Sequence, residues 1–196
     1  MSHARGNFFE TRDDVLVMRS DAELLRRSVG DSDAFAEFYR RHRASVARYV
    51  ARRLGTDGFE DAAAEVFIRA FRGRAIYVAE RDSALPWLLG IANHVIADHR
   101  RSEARRLAAL ARAPIDERSV ASAEIRAVAP DVVDELRRLP KDQRDTLLLV
   151  VWGELSYEEA ASGLGVPIGT VRSRIARART RLARALGQQS IRRVTR

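Results

Sequence analysis

The 196-residue sequence predicts an all-α protein built as two small helical domains joined by a linker. Three observations carry that expectation. Apolar residues recur at spacings of three and four along most of the chain, with no alternating strand pattern and no strong hairpin signal. Two Ser-x-x-Glu boxes, at Ser20–Glu23 and Ser156–Glu159, mark helix starts. An Ala-rich stretch at 107–130, holding Pro114 and Pro130, separates a first domain at 20–106 from a second at 131–186.

The elements follow in order. Residues 1–19 lack sustained periodicity and read as a flexible tail, and 187–196 form a short C-terminal tail. A first helix opens at Ser20 and ends by Gly30. Asp31 caps the next, whose buried side is Phe35, Phe38, Tyr39, Val46, Tyr49, Val50 and Leu54. Gly55–Gly58 breaks the pattern. A third helix over 60–72 buries Val66, Phe67, Ala70 and Phe71, and a loop covers 73–83. A fourth helix runs from Ala84 past Arg101, with the start of the linker partly helical. The second domain holds four helices. Each domain is large enough for a modest core.

Composition narrows the function classes. Net charge is +8, which suits a polyanionic partner. The chain has no cysteine, which excludes disulfides and thiolate metal sites. The longest apolar run, Leu147–Trp152, is far short of the ~20 residues of a membrane helix. The start lacks the basic and apolar stretches of a signal peptide, so the expected location is cytoplasmic. No cofactor and no metal are called for, and the chain is not expected to be an enzyme.

The strongest functional signal lies near the C-terminus. Beyond Glu159 there are nine arginines and no acidic residue. Val171, Ile175, Ala178, Leu182 and Ala185 form one apolar stripe, which leaves Arg172, Arg174, Arg177, Arg179, Arg181 and Arg184 on the other faces. A solvated surface helix normally mixes signs; a helix anchored on one side and cationic elsewhere fits phosphates, each arginine releasing a counterion. Upstream, the Ser156 box opens a short helix to about Gly163, and Leu164-Gly165-Val166-Pro167 makes a tight turn. Short helix, Gly-containing turn and longer basic helix is the order of a helix-turn-helix. The start of its second helix would meet base edges with Thr170, Arg172, Ser173, Arg174 and Arg177.

These residues resemble a known family. Leu139-Pro140-Lys141-Asp142-Gln143-Arg144, Leu155-Ser156-Tyr157-Glu158-Glu159-Ala160-Ala161, Gly169-Thr170-Val171-Arg172-Ser173-Arg174 and Arg177-Ala178-Arg179 are similar to region 4 of bacterial sigma factors. The closer likeness is to the extracytoplasmic-function (ECF) group of the sigma-70 family. Asp61 to Phe71 resembles region 2.2, and Pro86-Trp87 through Arg100-Arg101 resembles regions 2.3 and 2.4. Together the matches cover roughly residues 20 to 186. Two positions depart from the family pattern: Ala64 replaces a frequent polar residue, and Ala160 replaces a larger aliphatic, which implies looser packing there.

The resemblance implies a specificity subunit that binds core RNA polymerase through the β′ clamp helices and β flap. Region 4, with Thr170, Arg172, Ser173, Arg174, Arg177 and Arg179, would read the −35 element of promoter DNA. Region 2 would melt and read −10, with Tyr77 and Arg81 in the base-capturing loop and Trp87, Asn93, His94 and Asp98 on the following helix. Arg100 and Arg101, with Arg105 and Arg106, would position phosphates. Trp87 equally suits a core position beside Leu88 and Ile91. Asp61 and Glu65, at i and i+4, suit a docking patch or a solvated face; the resemblance favours docking on polymerase, with Phe67. An anti-sigma factor is a further implied partner. The competing reading is a stand-alone helix-turn-helix activator or repressor, which would carry a sensor or phospho-acceptor domain and a dimerising helix.

Overall fold

A computed structural model describes residues 19–55, 58–78, 82–111 and 130–194. Eight α-helices occupy them: α1 (Asp21–Arg27), α2 (Ser32–Leu54), α3 (Phe59–Gly73), α4 (Leu85–Ala111), α5 (Pro130–Arg138), α6 (Lys141–Val151), α7 (Tyr157–Leu164) and α8 (Ile168–Val194). A 3-10 turn at Arg74–Ile76 follows α3, and no strand occurs among the described residues.

Local chemistry fixes most boundaries. Ser20 accepts the Glu23 amide at 3.3 Å, and Asp31 accepts that of Asp33 at 3.0 Å, so two otherwise unpaired amides start α1 and α2. At α7 the box closes both ways: Ser156 Oγ accepts from Glu159 N at 3.1 Å, and Ser156 N donates to Glu159 Oε2 at 2.7 Å. Gly165 ends α7 at φ 62°, a left-handed cap that costs glycine little. Pro130 stands at the first position of α5, where its missing N–H would be unpaired anyway.

The stripes bury mostly as spaced. Val46 and Val50 are fully buried on α2, as are Val66 and Ala70 on α3. Tyr39 and Phe71 are corrections, at 42% and 40% exposed. They lie at the rim of the α2–α3 seam, Tyr39 edge-on to Phe67 at 4.7 Å and Phe71 edge-on to Phe35 at 4.9 Å, each with one side open.

The cores of the two halves are not separate. Leu88, Leu89 and Ile96 of α4 share one apolar cluster with Leu149, Leu155, Ala160, Ala161, Val171 and Ile175. A smaller cluster of Leu136, Leu139, Leu147, Leu148 and Ala178 belongs to the second half alone. The helices cross at backbone distance. A Cβ on Gly90 would lie 2.0 Å from the Gly163 carbonyl oxygen, and one on Gly163 would lie 2.4 Å from that of Pro86. Gly153 is equally tight, its Cβ position falling 2.8 Å from Leu89 Cδ1. Gly90 and Gly163 lie inside helices, where each costs ~1 kcal/mol against alanine. Ala160 is fully buried, so the packing at this position is close, not loose.

Candidate nucleic-acid interface

Helix α8 presents its cationic faces to solvent. Val171, Ile175 and Ala178 are fully or almost fully buried, and Leu182 and Ala185 are partly so. Arg172, Arg177, Arg179, Arg181 and Arg184 are exposed and form no ion pair among the described residues. Thr170 and Ser173 are half-buried, and Ser173 Oγ donates to the Thr170 carbonyl at 3.0 Å. Arg174 is less free: its guanidinium bonds Asp142 of α6 at 2.9 Å. That contact aims the side chain towards the α6 end of the helix-turn-helix.

On the first half, Tyr77 and Trp87 meet with ring centroids 4.9 Å apart. They line a cavity of about 490 Å³ together with Arg69, Ile91, His94 and, from α7, Ser162. Trp87 is half-buried, packed against the core and lining the cavity. His94 is exposed at the cavity edge. Arg81 lies outside the described residues.

The remaining polar residues of α4 are engaged within the protein. Asp98 accepts from Arg69 at 2.9 Å and from Arg101. Hydrogen bonding from Arg69 is the main reason its carboxyl sits below the ordinary value, and its small burial opposes this. Arg100 is half-buried and donates to the Arg53 carbonyl at 2.5 Å. Burial, then the like charges of Arg53 and Arg144, push Arg100 down to about 9. Arg101 remains exposed.

Asn93, expected at DNA, is 5% exposed. Its Oδ1 accepts from Tyr49 Oη at 2.8 Å and Arg53 Nη1 at 2.9 Å, while Nδ2 is buried without a partner. Arg53 in turn donates to Asp145 Oδ1 of α6 at 2.7 Å, and Lys141 reaches Asp145 Oδ2 at 3.0 Å. Burial pushes the Asp145 carboxyl up, but Arg53 and Lys141 outweigh it and hold the group below the ordinary range. Tyr49 is raised, chiefly by burial.

Residue-by-residue reading missed Arg53, Asp145 and a second buried cluster. In that cluster Asp21 accepts from Arg41 at 2.7 Å and from the Ala84 amide at 2.7 Å, and its other partner is His42 Nε2 at 2.7 Å. A signal was available. His42 and Arg53 continue the stripe of Phe38, Val46, Tyr49 and Val50 at helical spacing, and a charge on a buried stripe requires a buried partner.

The acidic pair on α3 divides. Asp61 is exposed, and Glu65 accepts from Arg69 at 2.8 Å. Phe67 is buried against Tyr39, so it supports this face from beneath.

A family model described as Sigma-70 region 2 matches residues 38–106, and one described as Sigma-70, region 4 matches residues 131–182. The ECF RNA polymerase sigma factor SigC of Mycobacterium tuberculosis is 35% identical over 163 residues, 82% of this chain and 88% of that protein. Among solved structures, that of CnrH in complex with the cytosolic domain of CnrY has a TM-score of 0.62 at 22% identity. It covers 87% of this chain and 99% of that one. The sigma factor RpoE from Bartonella quintana, solved with the anti-sigma factor NepR, has a TM-score of 0.56 at 24% identity, covering 78% and 96%. Both show the same fold.

Proposed function

The chain belongs to the sigma-70 family of RNA polymerase sigma factors, in its ECF group, and from that premise we propose how its residues divide the work. As an ECF sigma factor it binds core RNA polymerase and directs promoter-specific initiation. The face of α8 bearing Arg172, Arg177 and Arg179 enters the major groove at −35, with Thr170 and Ser173 at the helix start. The observation that carries this assignment is five exposed arginines on one helix with no ion pair among the described residues, since unpaired cations are what phosphates and guanine edges require. Arg174, steered by Asp142, reaches the groove from the α6 side.

The Tyr77–Trp87 cavity takes an unstacked base of −10, an aromatic platform beside His94 being suited to single-stranded DNA. Asn93, bonded to Tyr49 and Arg53, does not line that cavity. Arg101 and Arg105 hold phosphates. Asp61 and Glu65, with Phe67 and Tyr39 behind them, form the face that docks on the polymerase clamp. The chain catalyses no step of its own; chemistry remains with the polymerase. A protein that binds both halves, as an anti-sigma factor does, is the expected inhibitor. Its working place is the cytoplasm, where bacterial polymerase and template are, and no helix among the described residues is long and apolar enough to cross a membrane.

Run-off transcription with purified core polymerase on a pool of promoter fragments tests the reading. Discrete transcripts should appear only when the chain is added. Their absence, together with no core polymerase retained by the immobilised chain, would favour the stand-alone helix-turn-helix regulator.

A further inference from the structure

We infer that Asp21 is a positioning residue for −10 recognition: from α1 it holds the first turn of α4 and thereby sets the Trp87 wall of the base-accepting cavity. The inference rests on the assignment of that cavity to −10 and adds what fixes its shape. Asp21 is 1% exposed and does not cap its own helix, since Ser20 already takes the Glu23 amide at the start of α1. A carboxylate hidden from water requires partners, and here they come from outside α1. Arg41 Nη1 donates to Oδ1 at 2.7 Å. His42 Nε2 and the Ala84 amide both reach Oδ2 at 2.7 Å. An ionised carboxylate only accepts, so His42 carries a proton on Nε2.

The Ala84 contact is the one that reaches the cavity. Leu88 N donates to the Ala84 carbonyl at 3.0 Å, so Ala84 is the residue that opens α4. The first amides of a helix find no partner within it. At the head of α4, Leu85 N donates to Ser83 Oγ at 3.2 Å, and Pro86 has no N–H. Ala84 is fully buried, and its amide takes a carboxylate 63 residues upstream in the chain. Negative charge is favourable at the start of a helix, and a bond to an ionised acceptor is stronger than a neutral one. Arg41 and His42 grip the carboxylate from α2, which keeps it from rotating away from Ala84.

This turn is one wall of the cavity. Ser83, Pro86 and Trp87 line it, and Tyr77 meets Trp87 with ring centroids 4.9 Å apart. The Tyr77 side is tied to α1 as well: Arg74, in the 3-10 turn before Tyr77, donates to the Ser28 carbonyl at 3.3 Å. Helix α1 therefore braces both aromatic walls, one at each of its ends. A binding constellation needs placement to within about 0.5 Å, which requires support from side chains that are themselves locked. Asp21, with three short bonds, is such a support.

The chain has two tryptophans, so Trp152→Phe leaves Trp87 as the sole indole reporter in the full-length protein. On that background Asp21→Asn removes the charge at constant size, and Ser20→Ala weakens α1 at its cap without touching α4. Acrylamide quenching of Trp87 should rise in Asp21→Asn and stay at the parent value in Ser20→Ala. The functional arm uses holoenzyme on a promoter fragment recovered from the run-off pool, with abasic sites placed singly along the −10 non-template strand. Open complex is read by permanganate reactivity. The parent should lose it sharply at the captured base; Asp21→Asn should shrink that loss several-fold, and Ser20→Ala should keep it. Unchanged quenching or an unchanged abasic loss in Asp21→Asn overturns the inference, as do equal changes in Ser20→Ala. If Asp21→Asn loses helix content by circular dichroism, Arg41→Ala, which withdraws the support of Oδ1, is read by the same criteria. A parent indifferent to every abasic site strikes the −10 assignment of the cavity, while quenching still decides whether Asp21 places Trp87.

Discussion

Helices α4 and α8 are each 27 residues long and each carry the polar residues assigned to DNA, yet they use them in opposite ways. On α8 the arginines face water, and Arg174 alone of those from 172 to 184 has an acidic partner among the described residues. On α4, Asn93, Asp98 and Arg100 are all bonded within the protein. The cause is what lies opposite. Beyond Glu159 no acidic side chain exists to neutralise α8. Helix α4 is packed between α2, α3 and α7, so its polar groups find neighbours first. The same residue types therefore face solvent on one helix and are engaged within the protein on the other.

The sharpest way to break this comparison is to remove one partner from the buried side. Arg53→Ala leaves Asp145 with Lys141 as its remaining cation and removes a donor from Asn93, and loss of a buried pair's partner costs up to ~3–5 kcal/mol. Chemical denaturation should show that loss, while Arg177→Ala shifts the midpoint hardly at all. Comparable losses for both would abolish the distinction. Next in size is DNA affinity. Arg177→Ala should weaken binding to a −35-bearing duplex by ~1–3 kcal/mol if it grips a base, with core-polymerase binding intact. Full retention of affinity would move the groove face off Arg177.

A smaller effect separates phosphate from base contacts. Arg181→Ala should lower affinity evenly across sequences and reduce the salt dependence by roughly one unit of slope. A sequence-selective loss would instead place Arg181 at a base edge. The surface pair on α4 should matter least: Arg101→Ala leaves Asp98 bonded to Arg69, and exposed pairs contribute ~0–1 kcal/mol.

Acid sharpens the same contrast. Asp21 and Asp145 have carboxyls held below the ordinary 3.8, Asp21 by His42, the Ala84 amide and Arg41 against the opposing effect of its burial. Groups so lowered contribute stability that is fully present above the unfolded value and is lost as pH falls through the folded one. Melting temperature should therefore drop below about pH 4, less in an Asp21→Asn, Asp145→Asn double variant measured in parallel. An equal drop in the variant would place the acid-sensitive groups elsewhere.

The sequence alone determined the local features: where helices start, at Ser20, Asp31 and Ser156; where α7 ends, at Gly165; and which faces of α8 are greasy and cationic. Capping, turn chemistry and helical periodicity act over a few residues, so neighbours in the chain suffice to specify them. Charge on α8 was equally legible because nothing in the last 37 residues could cancel it. Only the tertiary structure decided the fate of Asn93, Arg53 and the two close-packed glycines. Arg53 finds Asp145 across 92 residues, and Gly90 meets Gly163 across a comparable gap. The stripe on α2 announced that Arg53 needed a partner, but a period of 3.6 residues carries no record of which distant carboxylate arrives. That depends on how the halves pack, which is set by shape and burial summed over the whole interface.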